Sequence, residues 1–161
     1  MKLKEYLLFY VVLTCFVSCF PIKTVSDISG YKIEKGKEKY HSPNKYTFQI
    51  YRSPVVFSRY LSDRFEYING FSPYNFRLEI EDVWFNFNVI GKEDASRYVD
   101  LLSGLILDNE DAELVNNGDT KYFIEIIVTT DNYEDCLQLD SFYRNSITKY
   151  LNDLRMGFKA Y

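Results

Sequence analysis

Histidine is almost absent from this chain of 161 residues: the sequence has one, His41, and it lies in a charge-rich segment. A histidine-dependent catalytic triad or dyad in the folded part is therefore excluded, as is a zinc site that relies on histidine. Glycine is also scarce, with seven residues, and none of them forms a Gly-rich phosphate loop or a Gly-x-Gly-x-x-Gly motif. The common nucleotide-binding motifs are thus missing.

Cysteine is equally rare, with three residues: Cys15, Cys19 and Cys136. They form no Cys-x-x-Cys motif, so the usual redox and zinc-binding spacings are missing. A cysteine nucleophile would have to be Cys136, which has no histidine nearby to activate it. Beside Leu137 and Leu139 it is expected to be a small core residue.

Carboxylates are the only plentiful reactive groups, and the segment from Asp108 to Asp119 is rich in them. A calcium loop of the EF-hand type that began at Asp108 would need an oxygen ligand at position five and glycine at position six. Those positions hold Ala112 and Glu113, so we expect a solvated acidic loop. The sequence therefore predicts a non-enzymatic protein with no catalytic residue, no metal and no cofactor.

The first nineteen residues carry the strongest pattern in the chain. Lys2 and Lys4 precede an apolar run from Tyr6 to Val17, which is typical of an export signal. A membrane-spanning helix needs about 20 apolar residues, and this run is shorter. Ser18, a small residue, stands immediately before Cys19 and fits the narrow pocket of a signal peptidase.

The run Phe16-Val17-Ser18-Cys19 resembles the lipobox of bacterial lipoproteins, with phenylalanine where leucine is commoner. The resemblance implies that residues 1–18 are removed, that Cys19 is lipidated, and that the lipid bilayer is a partner. Phe20 in place of aspartate at the next position implies the periplasmic face of the outer membrane. The alternatives are an ordinary cleaved secretory signal, in which Cys19 is incidental, and an uncleaved anchor.

Charge divides the remaining chain in two. Residues 20–45 hold six lysines and three acids, whereas the rest of the chain holds 11 basic and 19 acidic residues. We predict a lipidated N-terminus with a flexible tether over residues 19–45, whose ends can order, and a single globular domain over residues 46–161. The acidic domain argues against binding to nucleic acid, which depends on lysine and arginine contacts to phosphate.

Hydrophobic periodicity predicts an α+β domain with the order β-α-β-β-α-β-α. The predicted elements are a strand over 46–50, a helix that begins at Ser53-Pro54, strands over 76–81 and 83–90, a helix from Asp94 to Ile106, a strand over 122–129 and a helix over 143–158. A turn is expected at Glu81-Asp82, and Asp131 with Glu134 indicates a further short helix. The order matches the ferredoxin-like arrangement with an added C-terminal helix. The alternative is another small α/β sandwich with one long bulged strand.

Aromatic residues are abundant, and Trp84 faces away from the apolar row of its strand. An exposed tryptophan is a common anchor in protein interfaces and in sugar binding, so Trp84 is a candidate binding residue. Packing beneath a helix or the N-terminal segment is the structural alternative. The leading functional hypothesis is an envelope lipoprotein that binds another envelope protein. The alternatives are a sugar- or peptide-binding module and a membrane-tethered immunity protein.

Overall fold

A computed structural model of the chain describes residues 19–36, 42–68, 70–100, 114–115 and 120–161. The chain divides into two compact units, Met1–Ser26 with Asp94–Thr120 and Asp27–Glu93 with Lys121–Tyr161. The elements in chain order are β1 (Cys19–Lys23), β2 (Lys32–Glu34), β3 (Lys45–Ile50), α1 (Pro54–Arg64), β4 (Asn75–Ile80), β5 (Val83–Ala95), β6 (Arg97–Asp100), β7 (Leu114–Val115), β8 (Thr120–Thr130) and α2 (Arg144–Ala160).

The first unit contains a three-stranded antiparallel sheet in the order β1-β6-β7. Its strand β6 contradicts the helix that we predicted from Asp94 to Ile106, since residues 97–100 are extended and the preceding residues end β5. β6 has a backbone partner on each side, and this pairing outweighs the helical spacing of its apolar residues. Residues 101–106 lie outside the described residues.

The second unit is built on an open, five-stranded antiparallel sheet in the order β2-β3-β8-β5-β4, with helices α1 and α2. This confirms a mixed α+β fold. The ferredoxin-like arrangement is not confirmed, because the strand order differs: β8, the last strand, lies between β3 and β5, so the first and third strands of the predicted domain are not neighbours. Parallel neighbours need a crossover connection, and the second predicted crossover helix is replaced in part by strand.

Helix α1 begins where the sequence predicts. Ser53 is its N-cap and accepts a hydrogen bond on Oγ from the backbone amide of Val55 at 3.4 Å, and Pro54 occupies the first helical position. The residues that α1 buries are Phe57, Tyr60 and Leu61. Their spacing of three and four residues places them on one face.

Strands β4 and β5 form the predicted hairpin, with Ile80 opposite Val83 across a two-residue turn. Glu81 and Asp82 both have positive φ, 52° and 63°, as a type I′ turn requires. The turn explains why the apolar positions change from even to odd residue numbers between the two strands. Core-facing residues of the two strands, such as Leu78 and Phe85, lie directly opposite each other.

The core of the second unit lies between one face of the sheet and the two helices. α2 buries Ile147, Leu151, Leu154 and Phe158 at the predicted helical spacing. Phe158 meets Phe57 of α1 edge to face at 5.0 Å between ring centroids. Strands β3 and β8 contribute the fully buried Phe48 and Ile126.

The sheet includes part of the segment that we predicted to be a tether. Strand β2, over Lys32–Glu34, pairs with β3 and forms one edge of the sheet. Tyr31 stacks on the buried ring of Tyr46 with centroids 4.6 Å apart. The segment from Asp27 onward therefore packs with the second unit, ahead of the predicted boundary at residue 46.

Candidate functional site

The segment between β8 and α2, residues 131–143, is an irregular loop that is pinned at its centre. Its residues form turns, so the short helix predicted from Asp131 and Glu134 is wrong. A bridge between Thr129 and Asp135 folds the chain back on the end of β8 instead, and the amide of Cys136 donates to the carbonyl of Val128 at 3.1 Å. We refer to residues 131–143 as the 131–143 loop.

Two adjacent side chains of this loop enter the core. Cys136 and Leu137 are both fully buried, and Cys136 carries a free thiol, as predicted for a core residue. Burial raises the pKa of the Cys136 thiol to about 12. The thiol is therefore neutral at physiological pH, which does not suit a nucleophile.

Asp135 fixes the loop by hydrogen bonds on both carboxylate oxygens. Oδ1 accepts from the amide of Leu137 at 2.9 Å, and Oδ2 accepts from the amide of Asn44, just before β3, at 2.7 Å. The start of α2 contributes a third bond, in which Arg144 Nη1 donates to the carbonyl of Leu137 at 2.9 Å. The backbone of the loop is thus held from both sides by charge-assisted bonds.

Three large apolar side chains of this loop face solvent. Tyr133 is 88% exposed, Leu139 is 85% exposed and Phe142 is 90% exposed. Tyr133 also has a φ of +62°, a left-handed conformation that is uncommon for a bulky residue. We refer to these three side chains as the loop surface.

Two adjoining grooves border the loop surface. One lies beside Tyr133 with a volume of about 480 Å³, and the other lies beside Leu139 with a volume of about 530 Å³. The grooves share Lys35, Asn44 and Gln138, which shows that they are neighbours. Tyr133 and Leu139 therefore protrude beside adjoining depressions, whereas Phe142 lines neither groove.

The predicted binding residue Trp84 lies on β5, on the sheet face opposite the helices, and is 44% exposed. The guanidinium of Arg77, on the neighbouring strand, stacks over its indole ring at 4.8 Å from the centroid. Arg77 is held there by an ion pair with Asp131, which also accepts from Asn86 Nδ2 at 3.1 Å. One part of the Trp84 ring is thus covered by a side chain that is fixed in place.

Other residues singled out by the sequence are only partly described. Cys19 is the first described residue, and its backbone in β1 lies opposite Asp100. Outside the described residues lie the predicted export signal over residues 1–18, His41, and all of the Asp108–Asp119 loop except Leu114–Val115. Within the described ranges, no group of three or more histidine, cysteine or acidic residues is placed to hold a metal ion.

Sequence reasoning missed most of the loop surface. Tyr133 and Phe142 belong to no apolar row of a predicted element, and Leu139 stands two residues from the buried Leu137. The available signal was the position of Leu139 and Phe142 on either side of Asp140 and Ser141, two polar residues ahead of the α2 pattern. Their exposure depends on which side chains the turns direct inward, which periodicity does not show.

No helix in the described part of the chain is long and apolar enough to cross a membrane. Comparisons of the chain with known protein families, with curated proteins and with solved structures found no match. The function is therefore inferred from the geometry of the chain itself.

Proposed function

We propose that this chain is a lipid-anchored envelope protein whose folded part binds another protein through the loop surface. The observation that carries the proposal is the exposure of Tyr133, Leu139 and Phe142 on one pinned loop. Large aromatic and aliphatic side chains at the centre of an interface supply most of the binding free energy in protein complexes. Because these three side chains face solvent, they are free to insert into pockets of a partner protein.

The fixed backbone of the loop supports the proposal because ordering a flexible loop on binding costs free energy. Asp135 and the buried Leu137 already hold the turns in one conformation. A partner that docks here gains the burial of the anchors with little loss of backbone entropy. The left-handed conformation of Tyr133 is a local cost in stability that a purely structural tyrosine at an exposed position does not explain.

Charge defines the chemistry of the partner. The 131–143 loop carries four carboxylates and no basic residue, at Asp131, Glu134, Asp135 and Asp140. Asp135 is used internally, and Asp131 pairs with Arg77, which leaves Glu134 and Asp140 exposed at the rim of the grooves. Lys35 and Arg144 line the same grooves, so the rim carries both signs of charge. The partner is therefore a protein with apolar pockets whose border places basic residues opposite Glu134 and Asp140, since complementary rims steer association.

The anchor is the second part of the proposal. Cys19 of the lipobox-like run is lipidated and holds the protein on the periplasmic face of the outer membrane. A single acyl chain gives only weak membrane binding, so the diacylated cysteine of lipoproteins is suited to stable anchoring. This assignment rests on the sequence pattern at residues 16–19.

Site-specific photo-crosslinking in cells tests the protein-binding proposal. A photoreactive phenylalanine analogue replaces Phe142 in the full chain, and in a control chain it replaces Tyr67, which is 79% exposed elsewhere on the second unit. We expect a discrete crosslinked product from position 142 that is absent from position 67. Equal crosslinking at both positions, or none at 142, would remove the support for this surface.

Sugar binding at Trp84 is a second candidate function, favoured by one observation. A groove of about 390 Å³ on the same sheet face is lined by three amide side chains, Asn75, Asn86 and Asn88. Amides beside a half-exposed indole are suitable groups for hydroxyl recognition and ring stacking. The stacked Arg77 would have to share or leave the ring for a sugar to bind, so we rank this function second.

A further inference from the structure

Three basic residues meet at the end of β3 opposite the last turns of α2. Arg52 follows β3, while Arg155 and Lys159 belong to α2, and together they line a cleft of about 400 Å³. No carboxylate lines this cleft within the described residues. In a chain with 23 acidic against 19 basic residues, a site lined by three cations without a counter-charge is unusual. We refer to it as the cationic cleft.

The floor of the cationic cleft is apolar. Phe48 and Ile50 from β3 and Phe158 from α2 contribute to it, and all three belong to the buried core. The floor is therefore a rigid part of the fold, whereas Arg52 and Lys159 at the sides are exposed. A volume of this size is within the range of sites that bind small molecules.

Arg155 is held in place at the cleft. Its Nη2 donates to Asn152 Oδ1 on the same helix at 2.8 Å. Its buried Nε–H meets no acceptor within hydrogen-bond criteria among the described residues, and the buried Tyr46 hydroxyl interacts with the same guanidinium. The guanidinium is partly exposed and lines the cleft, so its Nη groups can donate to a carboxylate or sulfonate oxygen.

We infer that the cationic cleft binds a small amphiphilic anion, with its acidic head on Arg52, Arg155 and Lys159 and its apolar body over the floor. The basic rim selects the charge, because each lysine or arginine contact to an anionic oxygen is a charge-assisted hydrogen bond. The apolar floor selects the body, because its burial removes hydrocarbon from water. This site shares no residue with the loop surface and does not depend on the proposed protein partner.

Calorimetric titration of the full chain with three probes tests each half of the inference. 3-Phenylpropionate has both the charge and the apolar ring, 3-phenyl-1-propanol has the ring alone, and inorganic phosphate has the charge alone. We expect saturable binding of phenylpropionate at one site, with a dissociation constant in the millimolar range usual for so small a ligand. The other two probes are expected to bind about tenfold more weakly or not at all.

Two double variants test whether phenylpropionate binds in the cationic cleft. Arg52→Gln with Lys159→Gln removes two exposed cations of the cleft, and Arg59→Gln with Lys149→Gln removes two exposed cations of α1 and α2 that do not line it. The first pair is expected to weaken phenylpropionate binding about tenfold or more, and the second pair to leave it unchanged. Absence of saturable binding, equal binding of the neutral alcohol, or equal loss in both pairs would overturn the inference.

Discussion

The carboxylate of Asp135 joins two distant parts of the chain: it accepts a hydrogen bond from the amide of Asn44 at 2.7 Å and another from the amide of Leu137 at 2.9 Å. The first bond ties the 131–143 loop to the start of β3, and the second closes the turn at its centre. The direction of the exposed side chains on this loop depends on both bonds.

Replacing Asp135 tests how firmly the loop is held. Asp135→Ala leaves two partly buried amide groups without an acceptor, so we expect a loss of about 2–4 kcal/mol in the free energy of unfolding. Asp135→Asn keeps one acceptor oxygen and should lose less. The measurement is urea denaturation, with Asp140→Ala as the control, which should stay within about 0.5 kcal/mol of wild type. Equal stability of Asp135→Ala and the control would contradict the role of this residue.

From the positive φ of Tyr133 we predict how substitutions at this position change the stability of the protein. Tyr133→Val places a β-branched residue in a left-handed conformation, and we expect it to destabilise the protein by about 1–2 kcal/mol. Tyr133→Asn should be neutral or slightly stabilising, because asparagine tolerates this conformation. Since the tyrosine side chain is almost fully exposed, packing contributes little to the difference. Thermal unfolding of the two variants should separate them, and identical midpoints would show that the backbone is not strained there.

From the buried thiol of Cys136 we predict that the free energy of unfolding falls at alkaline pH. The unfolded thiol loses its proton near its ordinary pKa of 9.0, whereas the buried thiol keeps its proton until about pH 12. The folded state therefore holds one more proton in this interval, and the free energy of unfolding should fall as pH rises above 9. Tyr46 and Tyr150, whose pKa values burial raises to about 12, add to the loss above pH 10.

The comparison that isolates the thiol is wild type against Cys136→Ala, by urea denaturation at pH 7.5, 9.0 and 10.0. The variant is less stable at pH 7.5 because it leaves a cavity, but its stability should fall less between pH 7.5 and 10. Parallel pH profiles for the two proteins would show that the thiol does not titrate abnormally.

The contact between Arg77 and Trp84 can be measured directly because the chain has one tryptophan. Arg77→Ala should increase quenching of Trp84 fluorescence by acrylamide, since it uncovers the indole ring. The cost in stability should be about 1 kcal/mol or less for an exposed stacked pair. Lys149→Ala serves as the control and should leave the quenching unchanged. Increased quenching by glycans in Arg77→Ala, but not in wild type, would indicate that the arginine blocks a sugar site.

If Cys19 is lipidated as we propose, the protein carries covalently bound lipid. Cells fed a radiolabelled fatty acid should incorporate label into the wild-type chain and not into Cys19→Ala. Cys15→Ala is the matched control, because the alternative thiol lies within the predicted export signal and should not affect labelling. Equal labelling of wild type and Cys19→Ala would show that the lipobox-like run does not direct lipidation.

Local signals predicted much of the second unit. The Ser53-Pro54 cap and the apolar spacing of α1 and α2 identify helices from neighbouring residues alone, and the change of parity at Glu81-Asp82 locates the hairpin. These features could be recognised because each depends on residues within one or two turns of chain.

The features that the sequence did not predict depend on distant partners. The segment Arg97–Asp100 has helical spacing but pairs with β1, more than seventy residues earlier in the chain. The same limit applies to the 131–143 loop, where Asp135 is satisfied by Asn44. Periodicity contains no information about either partner, so the strand order and the exposure of Leu139 and Phe142 could not be derived from it.

Protein binding through the loop surface is tested most directly by the affinity of the full chain for the protein captured by crosslinking at position 142. Leu139→Ser with Phe142→Ser should weaken that affinity about a hundredfold or more, since truncation of a central anchor costs about 2 kcal/mol or more. Tyr51→Ser with Tyr67→Ser, which removes two equally exposed rings elsewhere, should leave it unchanged. An unchanged affinity in the first pair, or an equal loss in both, would contradict the account.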